Sequence, residues 1–328
     1  MANEAGLSCA DPLSLRKHPI SCYCSPFLSR PTFDLTASRP CGSSSAPMDG
    51  NGQPLIASRS PGVLSRDSAM DADAAELRGR VWALAQTPDG TWVVQNALDT
   101  LSGDSSRLQL VHELKSHTWE ALRCPHANHV LQKCLTSVRA GAVQFIVDEL
   151  LAPGPGAIVL AARHQYGCRI VQRILEHLSA PQVAVVVQEL VANCAQLSRH
   201  PDGSYAIRSL LEHCPGDAPR AVSLAIGADL ETTTRSRYGN AVVADALMFG
   251  AEEDQLALAR ALVADGAWLH RGRPGNRHLL TIARRMAELL PTDQVQRMRD
   301  SLTMAAPGLG RNVVGRRLLK MLARHVPP

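Results

Sequence analysis

A group of soft metal ligands lies near the start of the sequence. Cys22 and Cys24 form a C-x-C pair between His18 and Cys41, and four such side chains could in principle bind zinc. Their spacing matches no zinc-binding pattern, so we predict no metal site and no cofactor. Nine cysteines, an odd number in a chain of 328 residues, favour reduced thiols over a disulfide framework. No nucleophile, base and acid follow a spacing typical of a catalytic site, and we predict that the protein is not an enzyme.

The chain contains a repeated sequence motif with polar and aromatic side chains at fixed positions. In each copy a Gly or Ala precedes a segment with apolar residues at helical spacing. We number each copy from the residue after that Gly or Ala, which we call its first place. The first places are residues 91, 128, 168, 204, 240, 276 and 311. A near-constant period over seven copies indicates a repeat architecture. With the three residues before each first place included, the copies span residues 88–98, 125–135, 165–175, 201–211, 237–247, 273–283 and 308–318.

Each copy predicts an amphipathic helix. In the third copy Ile170, Val171, Ile174, Leu175 and Leu178 fall on one helical face. The Gly before the helix is expected to supply a tight turn. A further amphipathic segment follows, and then a short apolar one. A unit of about 36 residues with two to three helices cannot bury its apolar face alone, whereas stacked units can, which predicts a solenoid with one concave face.

Composition divides the chain into two parts. Residues 1–76 are rich in Ser, Pro and Gly and show no helical or strand period, so we predict a disordered tail. Residues 77–328 lack alternating strand-like runs and contain few aromatics, which indicates an all-α repeat domain. Apolar residues make up 45% of the chain and charged residues 20%, enough for a packed core.

Two further expectations come from hydropathy and charge. No apolar stretch approaches the roughly 18 residues of a spanning helix, so we predict no membrane association, and no secretory signal is visible. The net charge is only +4. That balance indicates no nucleic-acid partner by itself, and any such site must come from local arrangement.

The repeated segments resemble a known family. Residues 166–177, which read YGCRIVQRILEH, and residues 128–135, which read NHVLQKCL, are similar to Pumilio (PUF) repeats. The resemblance covers about 77–328, and it is strong in copies one to four and weaker in copies five to seven. It implies an all-α, right-handed superhelix of about seven three-helix repeats of roughly 36 residues. Such repeats bind single-stranded RNA, one base per repeat.

The resemblance also implies which side chains would contact RNA. In that family the first and fifth residues of each motif read a base edge, and the second stacks between bases. First and fifth residues lie one helical turn apart, and stacking contributes on the order of 1–3 kcal/mol per base. Carried over to copies one to four, the edge-reading pairs are Thr91 with Gln95, Asn128 with Gln132, Cys168 with Gln172 and Ser204 with Arg208, and the stacking residues are Trp92, His129, Arg169 and Tyr205.

Copies five to seven depart from the family's pattern. Their fifth residues, Ala244, Leu280 and Gly315, cannot make the usual edge contact, and Ala241 cannot stack. We expect these copies to contact the RNA backbone or to bind loosely. Arg277 and Asn312 are left as candidates for stacking, and Asn240, Asn276 and Arg311 as candidates for polar contacts.

The family's recognition code gives a partial target. Asn with Gln in copy two resembles a uracil reader, Cys with Gln in copy three an adenine reader, and Ser and Tyr with Arg in copy four a cytosine reader. Because the family runs RNA antiparallel to the protein, the implied core is 5′-CAU-3′. The family's usual uridine-guanine-uridine element is not supported, since C-terminal repeats read it.

These resemblances imply a sequence-selective RNA-binding protein that regulates mRNA after transcription. We expect it to be a cytoplasmic monomer that recruits effector proteins through its tail or convex face. Two alternatives stay open. One is a ribosome-biogenesis factor that assists rRNA processing, with a nucleolar location. The other is a protein-interaction solenoid that has lost RNA specificity, because three of the seven copies are degenerate.

Overall fold

The computed structural model describes residues 76–101, 103–268, 276–304 and 313–325. Within those ranges the regular structure is helical, with no strand. The predicted tail, apart from Glu76, lies outside the described residues, and so do the four candidate zinc ligands that it contains. Among the residues that the structure does describe, His, Cys, Asp and Glu side chains form no group of three or more that could hold a metal ion.

The described helices follow the period of the sequence. One short 3-10 helix spans Ala140–Val143. The α-helices are α1 (Val81–Ala85), α2 (Pro88–Thr100), α3 (Asp104–His112), α4 (Thr118–Arg123), α5 (Ala127–Ser137), α6 (Gln144–Leu151), α7 (Ala157–Arg163), α8 (Gly167–His177), α9 (Ala180–Ala192), α10 (Cys194–Arg199), α11 (Gly203–His213), α12 (Asp217–Ala228), α13 (Leu230–Arg235), α14 (Arg237–Phe249), α15 (Glu252–Asp265), α16 (Arg277–Leu289), α17 (Thr292–Met304) and α18 (Val313–His325).

Repeats one to five each consist of a short helix, an inner helix and an outer helix. They comprise α1–α3, α4–α6, α7–α9, α10–α12 and α13–α15. The sixth repeat contributes its inner helix α16 and outer helix α17, and the seventh its inner helix α18. Each inner helix packs on the next, in the order α2, α5, α8, α11, α14, α16 and α18. Outer helices α6, α9, α12, α15 and α17 also pack in sequence. The predicted all-α solenoid is therefore confirmed.

The apolar stripe of each inner helix forms the core. In α8 the side chains of Ile170, Val171, Ile174 and Leu175 are all buried, as the helical period predicts. Full burial of such a side chain contributes roughly 1.5–3 kcal/mol. One continuous cluster of buried residues runs from Leu77 in the first repeat into the last inner helix. The stacking of repeats thus supplies the core that a single repeat lacks.

Glycine is needed near the start of an inner helix for a different physical reason from the one that the sequence suggests. Gly167 is the first residue of α8 and has no positive φ. A Cβ atom on it would lie 2.3 Å from the carbonyl oxygen of Ala161 in the preceding short helix. The corresponding distance at Gly239 is 2.1 Å, to the carbonyl oxygen of Thr233. Glycine is therefore required for close approach of two backbones, rather than for a tight turn.

In the first three repeats a glutamate fixes the start of the short helix, and it lies in the outer helix or, for Glu113, directly after it. These carboxylates accept hydrogen bonds from backbone N–H groups that lack a partner within their own helix. The contacts are Glu113 with the N–H groups of Gly79 (2.7 Å) and Val81 (3.0 Å), Glu149 with those of Ser116 (2.7 Å) and Thr118 (3.1 Å), and Glu189 with that of Val159 (3.2 Å).

No helix in the described part of the chain has the length and apolar character needed to cross a membrane.

Candidate nucleic-acid interface

The inner helices of repeats one to three each hold a half-buried glutamine at the fifth place. Its side-chain amide donates to the first-place residue of the same motif, one turn earlier on the helix. The nitrogen–oxygen distances are 3.1 Å from Gln95 to the carbonyl of Thr91, 3.0 Å from Gln132 to Oδ1 of Asn128, and 3.0 Å from Gln172 to the carbonyl of Cys168. In each of the three repeats the glutamine is therefore held against the first-place residue, through its backbone carbonyl in repeats one and three and through its side chain in repeat two.

The first-place side chains are buried before any ligand is present. Their exposed fractions are 7% for Thr91, 1% for Asn128, 1% for Cys168, 3% for Ser204 and 0% for Asn240. Each makes hydrogen bonds close to the start of an inner helix. Thr91 Oγ1 donates to the carbonyl of His126, Asn128 Nδ2 to those of Cys124 and Pro125, Cys168 Sγ to that of Gln165, Ser204 Oγ to that of Pro201, and Asn240 Nδ2 to that of Thr234.

This burial gives the first and fifth places unequal roles. Both donor hydrogens of Asn128 are used at 2.8 Å and 2.9 Å, and its Oδ1 accepts from Gln132. Burial raises the pKa of the Cys168 thiol to about 11, so it stays a neutral S–H group. The fifth-place side chains, which are only half-buried, are better placed than the first-place ones to meet a base edge. The predicted edge contacts of the first places stay predictions.

The second places present flat groups on the same side of the inner helices. Trp92 is 68% exposed, His129 is exposed, and Arg169 and Tyr205 are half-buried. Partial desolvation of the otherwise exposed ring, and then the neighbouring His126, lower the pKa of His129, which keeps this ring neutral at neutral pH. The guanidinium carbon of Arg169 lies 4.6 Å from the ring centre of Tyr205. Aromatic rings and guanidinium planes of this kind can stack on bases.

Arg208, the fifth-place residue of repeat four, is ion-paired with Asp245 of repeat five. Its guanidinium carbon also lies 5.9 Å from the ring centre of Tyr205. Burial raises the pKa of Asp245, and the charge and hydrogen bond of Arg208 act against that rise. Sequence reasoning missed Asp245. A signal was present, since an acid follows Arg208 by 37 residues, about one repeat period.

Repeats five and six differ from the first four, as the sequence predicts. Ala241 and Ala244, at the second and fifth places of repeat five, are 5% and 1% exposed and belong to the packed interior. Asn276 is the N-cap of α16, and its Oδ1 accepts the N–H of His278 at 3.1 Å. Arg277, at the start of α16, is exposed. Arg311 and Asn312 lie outside the described residues.

His278 replaces the apolar residue that other inner helices carry at the third place. Burial, followed by the charges of Arg208 and Arg277, lowers the pKa of His278 to about 4. The imidazole is therefore neutral at neutral pH and adds no charge beside Arg208.

Stacked three-helix units with polar and flat side chains at fixed places on the inner helices define a helical-repeat binding protein. Residues 80–115, 124–151, 158–191 and 193–218 match the Pumilio-family RNA binding repeat. These four repeats are Pumilio-family repeats. The matched ranges cover the four repeats that keep the full pattern and end before α14.

Similarity to individual proteins is confined to part of the chain. A Pumilio domain-containing protein of Schizosaccharomyces pombe is 28% identical over 123 residues, which are 38% of this chain and 18% of the relative. Pumilio homology domain family member 4 of Saccharomyces cerevisiae is 28% identical over 102 residues, 31% of this chain and 11% of the relative. The chain thus matches less than a fifth of the length of these two relatives.

Solved structures share the fold at low sequence identity. PUF-8 in complex with PBE-RNA aligns with a TM-score of 0.67 and 20% identity, over 79% of this chain and 75% of that chain. The Puf3 RNA binding domain, bound to a Cox17 RNA 3′ UTR sequence, aligns with a TM-score of 0.67 and 16% identity, over 79% of this chain and 77% of that chain. The alignments extend beyond the four matched repeats, so the solenoid continues after the sequence pattern weakens.

Proposed function

We propose that the protein binds single-stranded RNA along the inner helices of repeats one to four, with one base at each repeat. The observation that carries this proposal is the repeated pairing of fifth-place and first-place residues, with a flat second-place side chain beside it. A glutamine offers one donor and one acceptor to a base edge. The family description and the RNA complexes among the similar folds support the same activity.

The proposed target core is 5′-CAU-3′, with its 5′ base at repeat four and its 3′ base at repeat two. This order rests on the antiparallel arrangement that the family resemblance implies. Ala241 and Ala244 are buried, so repeat five would offer no side chain to stack on a base or to read its edge. The site-specific part of the RNA would therefore end at repeat four, and later repeats would contact the backbone.

We further propose a role in post-transcriptional regulation of mRNA, in the cytoplasm and without catalysis. The support is the family alone. Effector proteins would bind the outer helices or the first 76 residues.

A random-sequence RNA selection tests the proposed function directly. The full-length protein should enrich RNAs that contain CAU, and affinity should fall as salt rises because phosphate contacts release counterions. A triple variant, Gln95→Ala, Gln132→Ala and Gln172→Ala, should lose the enriched motif while it keeps the melting temperature. If the wild-type protein enriches no motif and shows no salt-dependent affinity, the protein-interaction solenoid becomes the better assignment.

That second candidate has one observation in its favour. Repeats five and six keep the helical stack yet lack the full set of second-place and fifth-place side chains. A surface without base-reading groups is free to bind other partners, so the two functions could also divide the length of the solenoid between them.

A further inference from the structure

Arg208 and Asp245 connect two neighbouring inner helices, α11 and α14. The Nε of Arg208 meets Oδ2 of Asp245, and the side chains are 29% and 13% exposed, respectively. Arg208 therefore reaches the surface of the inner helices, whereas Asp245 lies mostly below it. The pair joins the last repeat that keeps the full pattern to the first repeat that has lost it.

The ion pair is not readily broken by a ligand. Asp245 is 9% exposed as a residue, and a carboxylate at such a position is costly unless a cation compensates it. Arg208 is the hydrogen-bonding partner of this carboxylate. Separating the two would leave Asp245 uncompensated, so Arg208 stays at Asp245 when the surface is occupied.

The ion pair also restricts the orientation in which the Arg208 guanidinium can face a ligand. A guanidinium carries five N–H donors in a planar fork. Asp245 takes the Nε side, and the Tyr205 ring lies 5.9 Å from the guanidinium carbon. The N–H groups of the two terminal nitrogens remain for a ligand. Because its plane is already constrained, the fork loses little freedom on binding and can match two adjacent acceptors.

Charge separates Arg208 from Arg169, the second-place cation of repeat three. The Arg208–Asp245 pair has no net charge, so it should contribute hydrogen bonds without adding to counterion release. Arg169 contacts the Gln172 side chain at 3.4 Å and the Tyr205 ring. At repeat four, base choice and salt dependence can therefore be measured separately.

We propose that Asp245 is a positioning residue that orients Arg208 of the preceding repeat and thereby sets the base preference of repeat four. The proposal rests on the proposed function. The base favoured by this arrangement has two adjacent acceptors on the edge that it presents. On the pairing edge that base is cytosine, through N3 and O2, which agrees with the first base of the proposed core.

Asp245→Asn is the direct test, since it keeps the shape and removes the charge. Binding of four RNAs that differ only at the base facing repeat four would be measured over a range of salt concentrations. Selectivity for cytosine should fall about tenfold, the equivalent of about 1.4 kcal/mol. The slope of log affinity against log salt should steepen by about 0.7, because the freed guanidinium becomes a phosphate-binding charge.

Arg208→Lys provides a second variant that retains the charge pair with Asp245. A lysine lacks the planar fork, so selectivity at this base should fall while the salt slope stays at the wild-type value. In an Arg208→Gln background, Asp245→Asn should leave the selectivity ratio unchanged, because the residue that it positions is gone. These two results would not follow from a general loss of packing around α14.

Asp99→Asn is the matched control. Asp99 forms the inter-repeat ion pair with Lys133 of repeat two, so this variant removes the same charge from the same stack of helices. It should not change selectivity at the base facing repeat four. Equal loss of selectivity in Asp99→Asn and Asp245→Asn, or an unchanged ratio in Asp245→Asn, would overturn the inference.

Failure of the inference and of the proposed function give different results. If wild-type protein discriminates bases at repeats two and three but Asp245→Asn keeps the wild-type preference at repeat four, only the role of Asp245 is wrong. If wild-type protein discriminates no base at any repeat, the proposed function is wrong and the inference is overturned with it.

Discussion

The side-chain amide of Gln132 donates to Oδ1 of Asn128 at 3.0 Å, one turn earlier on α5. Asn128 in turn uses both of its donor hydrogens on the carbonyls of Cys124 and Pro125. The buried asparagine therefore anchors the half-buried glutamine to the start of the helix. This arrangement orients the glutamine toward a ligand without requiring the asparagine to contact that ligand.

Gln132→Ala and Gln172→Ala should each relax selectivity at one base more than they weaken overall binding. The reason is that base-edge contacts specify sequence, whereas stacking and phosphate contacts supply most of the affinity. We expect about a tenfold loss of selectivity at the base facing the altered repeat. Affinities for RNAs that differ at one base would be measured for each variant. Gln296→Ala, on the outer helix α17, is the control and should match wild type. Equal weakening for every RNA would contradict one-base-per-repeat recognition.

Tyr205→Ala should weaken binding to many RNA sequences alike. The Tyr205 ring contacts the Arg169 guanidinium at 4.6 Å, so its removal takes away both a stacking surface and a support for Arg169. Loss of one base stack costs about 1–3 kcal/mol. Tyr205→Phe should retain most of the affinity, because it keeps the ring. Phe249→Ala removes an aromatic side chain that is 42% exposed at the end of α14, and it should have no effect on RNA affinity. A loss of affinity that depended on the bases facing repeats one to three would argue against a stacking role.

Arg208→Gln should move the preferred base at repeat four from cytosine to adenine. Arginine has only donors, whereas glutamine has a carbonyl acceptor and an amino donor group and can match the amino group and N1 of adenine. The measurement compares two RNAs that differ only at this base, for wild type and variant. An unchanged preference ratio, with affinity lowered equally for both RNAs, would show that Arg208 reads no base.

The same substitution should also make stability depend on pH. Without Arg208, burial raises the pKa of Asp245 further, since the guanidinium is the group that lowers it. A carboxyl whose pKa is higher in the folded state than in the unfolded state loses stability as pH rises through that interval. Arg208→Gln should therefore unfold at a lower temperature than wild type at neutral pH, by the equivalent of about 1–3 kcal/mol. The difference should shrink at mildly acidic pH and largely disappear when Asp245→Asn is added. A difference independent of pH would exclude Asp245 as its source.

The local features of the fold could be predicted from the sequence, because they depend on helical spacing. Ile170 and Ile174 were expected in the core and are buried. The place of Gly167 was also predicted, but its cause was not, since the Ala161 carbonyl that excludes a Cβ belongs to another helix. Asn276 was predicted to contact RNA. In the structure Asn276 is the N-cap of α16, because that helix begins at Arg277. In contrast, α8 and α11 begin at the Gly before the first place, so their first-place residues lie inside the helix.

The candidate site was less accessible to sequence reasoning for a similar reason. First-place residues such as Asn128 are expected from the sequence to face bases, and the 1% exposure of Asn128 follows from its contacts with the preceding turn. The ion pair between Arg208 and Asp245 joins two repeats, so no single copy of the motif contains it. Interactions across repeats become predictable only when residues about one period apart are compared.

Gly167→Ala should destabilise the protein strongly, because the new Cβ would lie 2.3 Å from the Ala161 carbonyl oxygen and 2.9 Å from Cδ2 of Leu122. Relief of this overlap requires α7 and α8 to separate, and overpacking of this kind typically costs about 1–3 kcal/mol. Gly227→Ala is the matched control. Gly227 lies in α12, has no positive φ, and has no atom within 4 Å of the place that a Cβ would take, so alanine should stabilise that helix by about 0.5–1 kcal/mol. Urea unfolding of both variants would measure the two changes. If Gly167→Ala were as stable as wild type, the close approach of α7 to α8 would be wrong, and the glycine would have to be explained by its backbone conformation instead.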